Sequence, residues 1–536
     1  MKNYFLKEVW RMNNSLPTNQ DLGQSNSDIP SMSLSSSLNE NLDVLKKTFD
    51  GCDDIVFNEV SFVDKSVCLV YIAELISNQT IFEIEKGLAS SLESYTQNGP
   101  QPSFTSLVYR CFPFRRDKDS KNIRGVIKRI MAGKVALLVD DTDDALLFDT
   151  NNPSEVNVPE SDTERTVRGP NKGFVETIDT NLRFIRQKIQ TPSLKVNYLT
   201  LGEQSNTKVS VVFMEGIADK EIVAEVHRRL SRIDIDGVLD SHYIESMIKD
   251  SPWSPFPTLF STERADRVCG GLLDGKVAIL TDGSPSALTA PTMFVEFLHS
   301  SEDYYDSSLV ASIIRWVRFL GLFVTLILPA FFVGITTFHQ DLLQTPFLMR
   351  IAASREALPY PVMVEGFFML LTYELLREAG LRMPKKLGGA IVTILGLVLI
   401  GQSAVQAGLV GSMMAIVVSV TALTSFILPN YEFHQVIRFG TIPFLLLAGV
   451  FGFMGILVAL MFVLAHLISL RSFGVPYFSP VSPGRKEGWK DVFIRAPWWA
   501  MDTRAPGLGV DNIDRVGAKN RVHTPAEEKV DQDGKK

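Results

Sequence analysis

Acidic residues offer the first candidates for chemistry. Asp140, Asp141, Asp143 and Asp144 crowd one short stretch, and Asp282 closes a second stretch of the same kind. Two carboxylates can work as general acid and base when their surroundings hold one protonated. No Ser–His–Asp or Cys–His pattern surrounds these, so a solvated hairpin rim accounts for them better than a catalytic pair does. The histidines, His227, His242, His299, His339, His434, His466 and His523, are dispersed and form no H-x-x-x-H motif. Cys52, Cys68, Cys111 and Cys269 stand far apart. That spacing suits isolated thiols, not a disulfide framework or a thiolate metal site. No glycine run has the G-x-x-x-x-G-K-[ST] or G-x-G-x-x-G spacing of a phosphate cradle. Neither an enzyme nor a cofactor or metal is expected. The net charge of −7 also lacks the basic excess that marks nucleic-acid binding.

Two further acids lie in an unusual setting. Residues 360–376 read YPVMVEGFFMLLTYELL, with Glu365 and Glu374 inside an apolar run. An ionised carboxylate in hydrocarbon is expensive, so such residues face a cavity, a partner or a pore, or else sit at the headgroups. Both readings stay open here: an interfacial or re-entrant helix, or a pore- or partner-facing one.

The surrounding elements are of membrane type. Phe319 to Phe338 reads FLGLFVTLILPAFFVGITTF without a charge, long enough to cross a hydrocarbon layer of about 30 Å. Pro329 near its middle is tolerable in a membrane helix. Arg315 and Arg318 precede it and hold its start in the cytoplasm. Residues 389–428 form an uncharged block too long for one span, with GQSAVQAG at its middle as the natural turn. Phe439 to Leu470 forms a third block, long for one span, which would tilt or protrude. Arg471, Arg485, Lys486, Lys490 and Arg495 favour a cytoplasmic tail and so four spans. Arg382, Lys385 and Lys386 favour five, with 360–376 crossing. Four is preferred. Gly388, Gly389 and Gly396 are helix-packing candidates, as are Ser412 and Ser419.

The region before Phe319 contains a repeat. GKVALLVD at 133–140 matches GKVAILTD at 275–282, and VCLVY at 67–71 matches VSVVF at 209–213, both 142 residues apart. The β-branched and aromatic runs read as strands, and DKEIVAEVHRRL at 219–230 reads as a helix with an acidic start and a basic end. The fold expected is an α/β soluble N-terminal region of two related α/β subdomains, followed by an α-helical integral membrane domain. A polar disordered tail would span 1–44, subdomain one 45–165, a connector 166–194 and subdomain two 195–310. The transmembrane domain would span 311–470, with four to five segments, and a cytoplasmic tail 471–536. In the connector, Thr180 or Asp179 would cap NLRFIRQKI, leaving Arg183 and Arg186 on its surface for subunit contact. Prolines 252, 255 and 257 forbid regular structure around Trp253 and Phe256. That loop would pack on its own domain or dock on another subunit. Ser261 would cap the helix after it.

These stretches also resemble a known family. RGPNKGFVETIDTNLRFIRQKI at 168–189, SPWSPFPTLFSTERAD at 251–266 and LLDGKVAILTDGSPSALTAPTMFVEFLHSSEDYY at 272–305 are similar to the A subunits of GerA-type bacterial spore germinant receptors. So are SREALPYPVMVEGFFMLLTYELLREAG at 354–380, GQSAVQAGLV at 401–410 and the tail motif RAPWW at 495–499. The resemblance covers about residues 45–505. It implies a multi-pass protein of the spore inner membrane with its N-terminal domain cytoplasmic. It implies work with a permease-like B subunit and a lipoprotein C subunit, and self-assembly, as a pentamer, into a nutrient-gated cation channel. In such an assembly Glu365 and Glu374 would form rings that attract cations. The alternative is a non-conducting scaffold, with sensing and transport in the B subunit.

Overall fold

The computed structural model describes residues 32–62, 65–98, 121–149, 160, 161, 164, 166–356, 358–382, 396, 399, 401–484, 486–504 and 512–515. They divide into two compact units, one within 32–149 together with 190–192, the other made of 160–189 and 193–515.

The first unit is an antiparallel four-stranded sheet with helices on both faces. Its elements are α1 (Leu38–Thr48), β1 (Ile55–Phe62), β2 (Lys65–Ile72), α2 (Asn78–Asn98), α3 (Ile123–Met131), β3 (Val135–Val139) and β4 (Leu146–Phe148), with strand order β1-β2-β3-β4. Strand side chains alternate between faces. Val135, Leu137 and Val139 therefore meet Ile84 and Leu88 of α2, while Ala136 and Leu138 meet Leu38, Leu42, Ile127 and Ile130 of α1 and α3. Each fully buried Leu or Ile contributes roughly 1.5–3 kcal/mol. The polar tail expected over 1–44 therefore gives way to structure before its end. Leu38, Leu42 and Leu45 make one helical stripe, and burial of that stripe outweighs the Ser-rich stretch before it.

The second unit opens on the same plan. It contains α4 (Ile178–Lys188), β5 (Leu194–Leu201), β6 (Thr207–Met214), α5 (Lys220–Leu230), α6 (Ser241–Ile248), β7 (Phe260–Thr262), α7 (Ala265–Leu273), β8 (Val277–Thr281) and β9 (Ala287–Ala290). The strand order is β5-β6-β8-β9-β7. Val209 pairs with Thr281 in register as Val67 pairs with Val139. The likeness extends to single hydrogen bonds. Asp140 Oδ1 accepts the Leu38 N–H at 3.1 Å, and Asp282 Oδ1 accepts the Ile178 N–H at 3.1 Å. Asn41 clamps both main-chain groups of Ser35, at 2.9 and 2.7 Å, and Asn181 does the same to Val175, at 2.8 and 2.6 Å. Asp140 and Asp282 thus cap helix N-termini, where four N–H groups lack an internal partner, while Asp282 stays exposed at the rim. Neither Thr180 nor Asp179 caps α4; Asp179 pairs with Lys208 at 3.0 Å. Asp219 does cap α5, accepting the Glu221 N–H at 2.8 Å. Ser261 lies inside β7, and the Thr262 hydroxyl accepts the Arg264 N–H at 3.2 Å at the start of α7.

The helical region follows within the same unit. Its helices are α8 (Ser308–Thr337), α9 (Thr345–Arg355), α10 (Val362–Leu381), α11 (Ser412–Ser425), α12 (Tyr431–Phe451) and α13 (Phe453–Ser469); residues 401–406 are helical as well. Among the described residues, α8 and α12 are long and apolar enough to cross a membrane, and α11 and α13 are shorter apolar helices. Pro329 is accommodated within α8 and Pro443 within α12. The turn expected in GQSAVQAG falls at its end, after helical residues 401–406, with Gly408 at φ +66°. The block 439–470, expected as one long span, is broken. Gly452 takes φ +61° between α12 and α13, and a Cβ there would come within 3.0 Å of the Phe338 Cβ. A Cβ on Gly455 would collide with the Leu447 carbonyl, so the two helices turn back on each other in close contact. A two-stranded ribbon, β10 (Arg471–Ser472) with β11 (Val475–Pro476), leads into the final segment.

Candidate functional site

A buried clamp holds the start of α8. Arg315 is fully buried, and its guanidinium reaches Asp303 at 3.0 Å, the Asp491 carboxylate at 2.8 Å and the Asp491 main-chain oxygen at 2.6 Å. Arg318, one turn on, grips both oxygens of Asp303 at 2.8 Å. Tyr304 donates to Asp491 at 2.7 Å, and burial pushes its phenol well above the usual range. His299 shares a hydrogen bond of 3.1 Å with the Val492 carbonyl; burial first, and Arg315 next, hold its pKa well below that of free imidazole. The two arginines that flank the start of the apolar run are therefore the join between α8, the segment after β9 and the C-terminal segment. Desolvation explains this: a guanidinium removed from water at a helix start needs a carboxylate in contact. Asp303 and Asp491 carry no local signal of this role, lying 12 and 176 residues from Arg315.

A second set of charges lies among the helices. The Glu365 carboxylate is buried, accepting from Arg355 at 2.6 Å and from the Gly411 N–H at 2.7 Å. It thereby ties α10 to the end of α9 and to the turn before α11. Glu374 lies 2.7 Å from Arg438 of α12. Arg377 approaches His434 at 3.3 Å, and the Tyr373 and Ser425 hydroxyls are 3.1 Å apart. Thr441 donates to the Thr325 carbonyl at 3.2 Å, joining α12 to α8. Within the single chain, then, each acid has its own arginine. Arg355 and Arg438 are the partners that sequence reasoning missed, because each lies on a different helix from its acid.

The other candidates are spread out. Trp253 is 99% exposed, while Phe256 is buried against Phe433 and His466, with ring centroids 6.4 and 6.0 Å away. The Ser254 hydroxyl lies 2.9 Å from His466 Nε2, so the proline-rich loop is seated on the ends of α12 and α13. Arg183 is half-buried. Arg186 is fully buried, against the expectation that it lies on the surface. It falls in the stripe Ile178–Leu182–Ile185–Ile189 that faces the core. A Cβ on Gly396 would meet Leu376 at 3.2 Å, whereas Gly388 and Gly389 lie outside the described residues. Ser412 is exposed and Ser419 half-buried. Gly366 is a close approach not singled out in advance: a Cβ there would lie 3.0 Å from Leu445 and Met414. Cys68 and Cys269 are buried, and desolvation pushes both thiols up to about 12. Cys111 lies outside the described residues. Among the described residues, no group of three or more His, Cys, Asp or Glu is placed to hold a metal ion.

Comparison with known proteins places this arrangement. The model of the Bacillus/Clostridium GerA spore germination protein family matches residues 43–506. Spore germination protein KA of Bacillus subtilis is 37% identical over 92% of this chain and 90% of its own. The uncharacterized membrane protein YfkQ of the same organism is 36% identical over 91% of this chain and 94% of its own. The solved N-terminal domain of the A subunit of the Bacillus megaterium spore germinant receptor GerK3 is 29% identical, covering 49% of this chain and 98% of that one, with a TM-score of 0.38.

Proposed function

This chain belongs to the Bacillus/Clostridium GerA spore germination protein family and is a membrane-associated subunit of a germinant receptor, not an enzyme; from that premise we propose that it is the ion-conducting A subunit. In this reading it crosses the spore inner membrane several times with the α/β subdomains in the cytoplasm. It assembles with copies of itself, as a pentamer, and works with a permease-like B subunit and a lipoprotein C subunit. Nutrient binding to the receptor opens a cation path through the assembled helices.

The observation that carries the reading is the pair of acids within the helical region, Glu365 and Glu374. Carboxylates kept at such a cost mark ion paths or partner contacts. Their arginines, Arg355 and Arg438, hold them neutralised, which suits a closed state. Opening would exchange these arginines for cations. The same pairing favours a second reading, in which the acids only bind helices together and the chain is a scaffold beside the B subunit.

The test is nutrient-triggered potassium release from spores carrying Glu365→Gln, with receptor abundance measured in parallel. Release of altered ion composition at normal abundance is expected; a slower release of unchanged composition favours the scaffold. Unchanged release at normal abundance removes Glu365 from the path and favours the scaffold.

A further inference from the structure

The proline-rich loop of the second α/β copy holds an indole at its tip. The Ser254 N–H donates to the Ser251 carbonyl at 3.1 Å, which closes a turn with Pro252 and Trp253 at its apex. Proline fixes its own φ, so Pro252 and Pro255 stiffen both sides of Trp253. The Ser254 hydroxyl also accepts the Phe256 N–H at 3.2 Å. Trp253 is therefore held outward by a rigid turn, and it is almost fully exposed.

The packing of the loop sets the level at which that indole lies. Phe256 belongs to one core cluster with Phe319, Phe433 and Leu467. Phe319 is where the charge-free run of α8 begins, Phe433 lies in the first turn of α12, and Leu467 in the last turn of α13. The Ser254 hydroxyl, one residue from Trp253, meets His466 at 2.9 Å. The loop tip is thus level with the boundary of the charge-free helices, not with the body of its own sheet. Beside it the outward face of α13 is apolar, with Phe462, Leu464 and Ile468 exposed.

Two other exposed tryptophans mark the same boundary. Trp316 stacks on Phe493 with ring centroids 5.6 Å apart, and Trp489 meets Phe493 edge-on at 6.3 Å. Phe493 itself lies 4.8 Å from Phe319. An indole has an apolar body and a single N–H donor, so the layer between hydrocarbon and water satisfies both of its parts.

We infer that the proline-rich loop is a lipid anchor, with the Trp253 indole in the headgroup layer of the leaflet next to the second α/β copy. This rests on the proposed crossing of the membrane by the helices. The loop then ties the second copy to the bilayer surface as well as to α12 and α13.

The experiment uses the receptor in lipid nanodiscs with this chain at full length. The emission of Trp253 is the difference between the unaltered protein and Trp253→Phe. Two quenchers are compared, a phosphatidylcholine carrying a nitroxide on its headgroup and iodide in the water. The nitroxide lipid is expected to reduce the difference emission roughly twofold or more, with iodide the weaker quencher. Quenching by iodide and not by the nitroxide lipid puts the indole in water and overturns the inference. Quenching by neither puts it against another subunit or a second copy, and overturns it as well. Phe462→Trp, midway along α13, reports the crossing separately through a lipid with its nitroxide on the acyl chain. If that added emission is quenched while Trp253 escapes the headgroup nitroxide, the anchor fails and the crossing stands. If neither is quenched, both fail.

Discussion

In the first α/β copy, β3 is followed by Asp140, whose carboxylate caps α1, and Asn41 clamps the turn before that helix. In the second copy Asp282 caps α4 and Asn181 clamps the turn, through the same atoms at nearly the same distances. Beyond that the copies part. The first ends its sheet at β4. The second adds β7 at the sheet edge, seats the proline-rich loop on α12 and α13, and carries the Asp303 clamp on α8. What recurs in both copies belongs to the fold. What the second copy has alone is where connection to the helices was added.

Six substitutions, in four tests, break or sharpen that division. The largest effect is expected for Asp303→Asn, which leaves the buried Arg315 and Arg318 short of a counter-charge in the second copy only. A loss of about 3–5 kcal/mol is expected, read as earlier thermal unfolding of the purified receptor. A change below 1 kcal/mol would show that the clamp does not hold α8. Next come Asn41→Ala and Asn181→Ala. Each removes two hydrogen bonds and leaves main-chain groups unpaired, at a cost of about 2–4 kcal/mol to its own copy. Amide hydrogen exchange of the neighbouring strands should rise equally in the two variants; an effect in one alone would undo the equivalence.

Asp140→Ala and Asp282→Ala should each cost about 1 kcal/mol, the usual value of a helix cap, by the same exchange measurement. A collapse of either copy would assign its aspartate more than capping. The smallest stability effect belongs to Trp253→Ala, within about 0.5 kcal/mol, because the residue is almost fully exposed. If the loop is a subunit contact, this variant nevertheless loses co-purification of the other receptor subunits. Full co-purification would leave Trp253 without that role.

The sheets were legible where burial on both faces makes a strand almost wholly apolar, as in VALLV and VAILT. The capping aspartates were visible as residues, but their role was not. Leu38 and Ile178 lie 102 and 104 residues away, and only the closed sheet brings them together. Arg186 misled because a basic residue near a helix end is usually solvated. The membrane-type runs stood out by composition. The break at Gly452 did not, since both of its flanks are apolar and only the close approach of α12 and α13 demands a glycine there. Glu365 and Glu374 were found from the cost of their setting, while Arg355 and Arg438 could be identified as partners only from the packing of the helices.

The measurement that bears most directly on conduction by this chain is the ratio of potassium to sodium released on nutrient addition, from spores carrying Glu374→Gln at matched receptor abundance. If the chain conducts, that ratio shifts, because the carboxylate contacts the permeating ion. A slower release with an unchanged ratio would contradict the account and assign Glu374 to helix packing through Arg438.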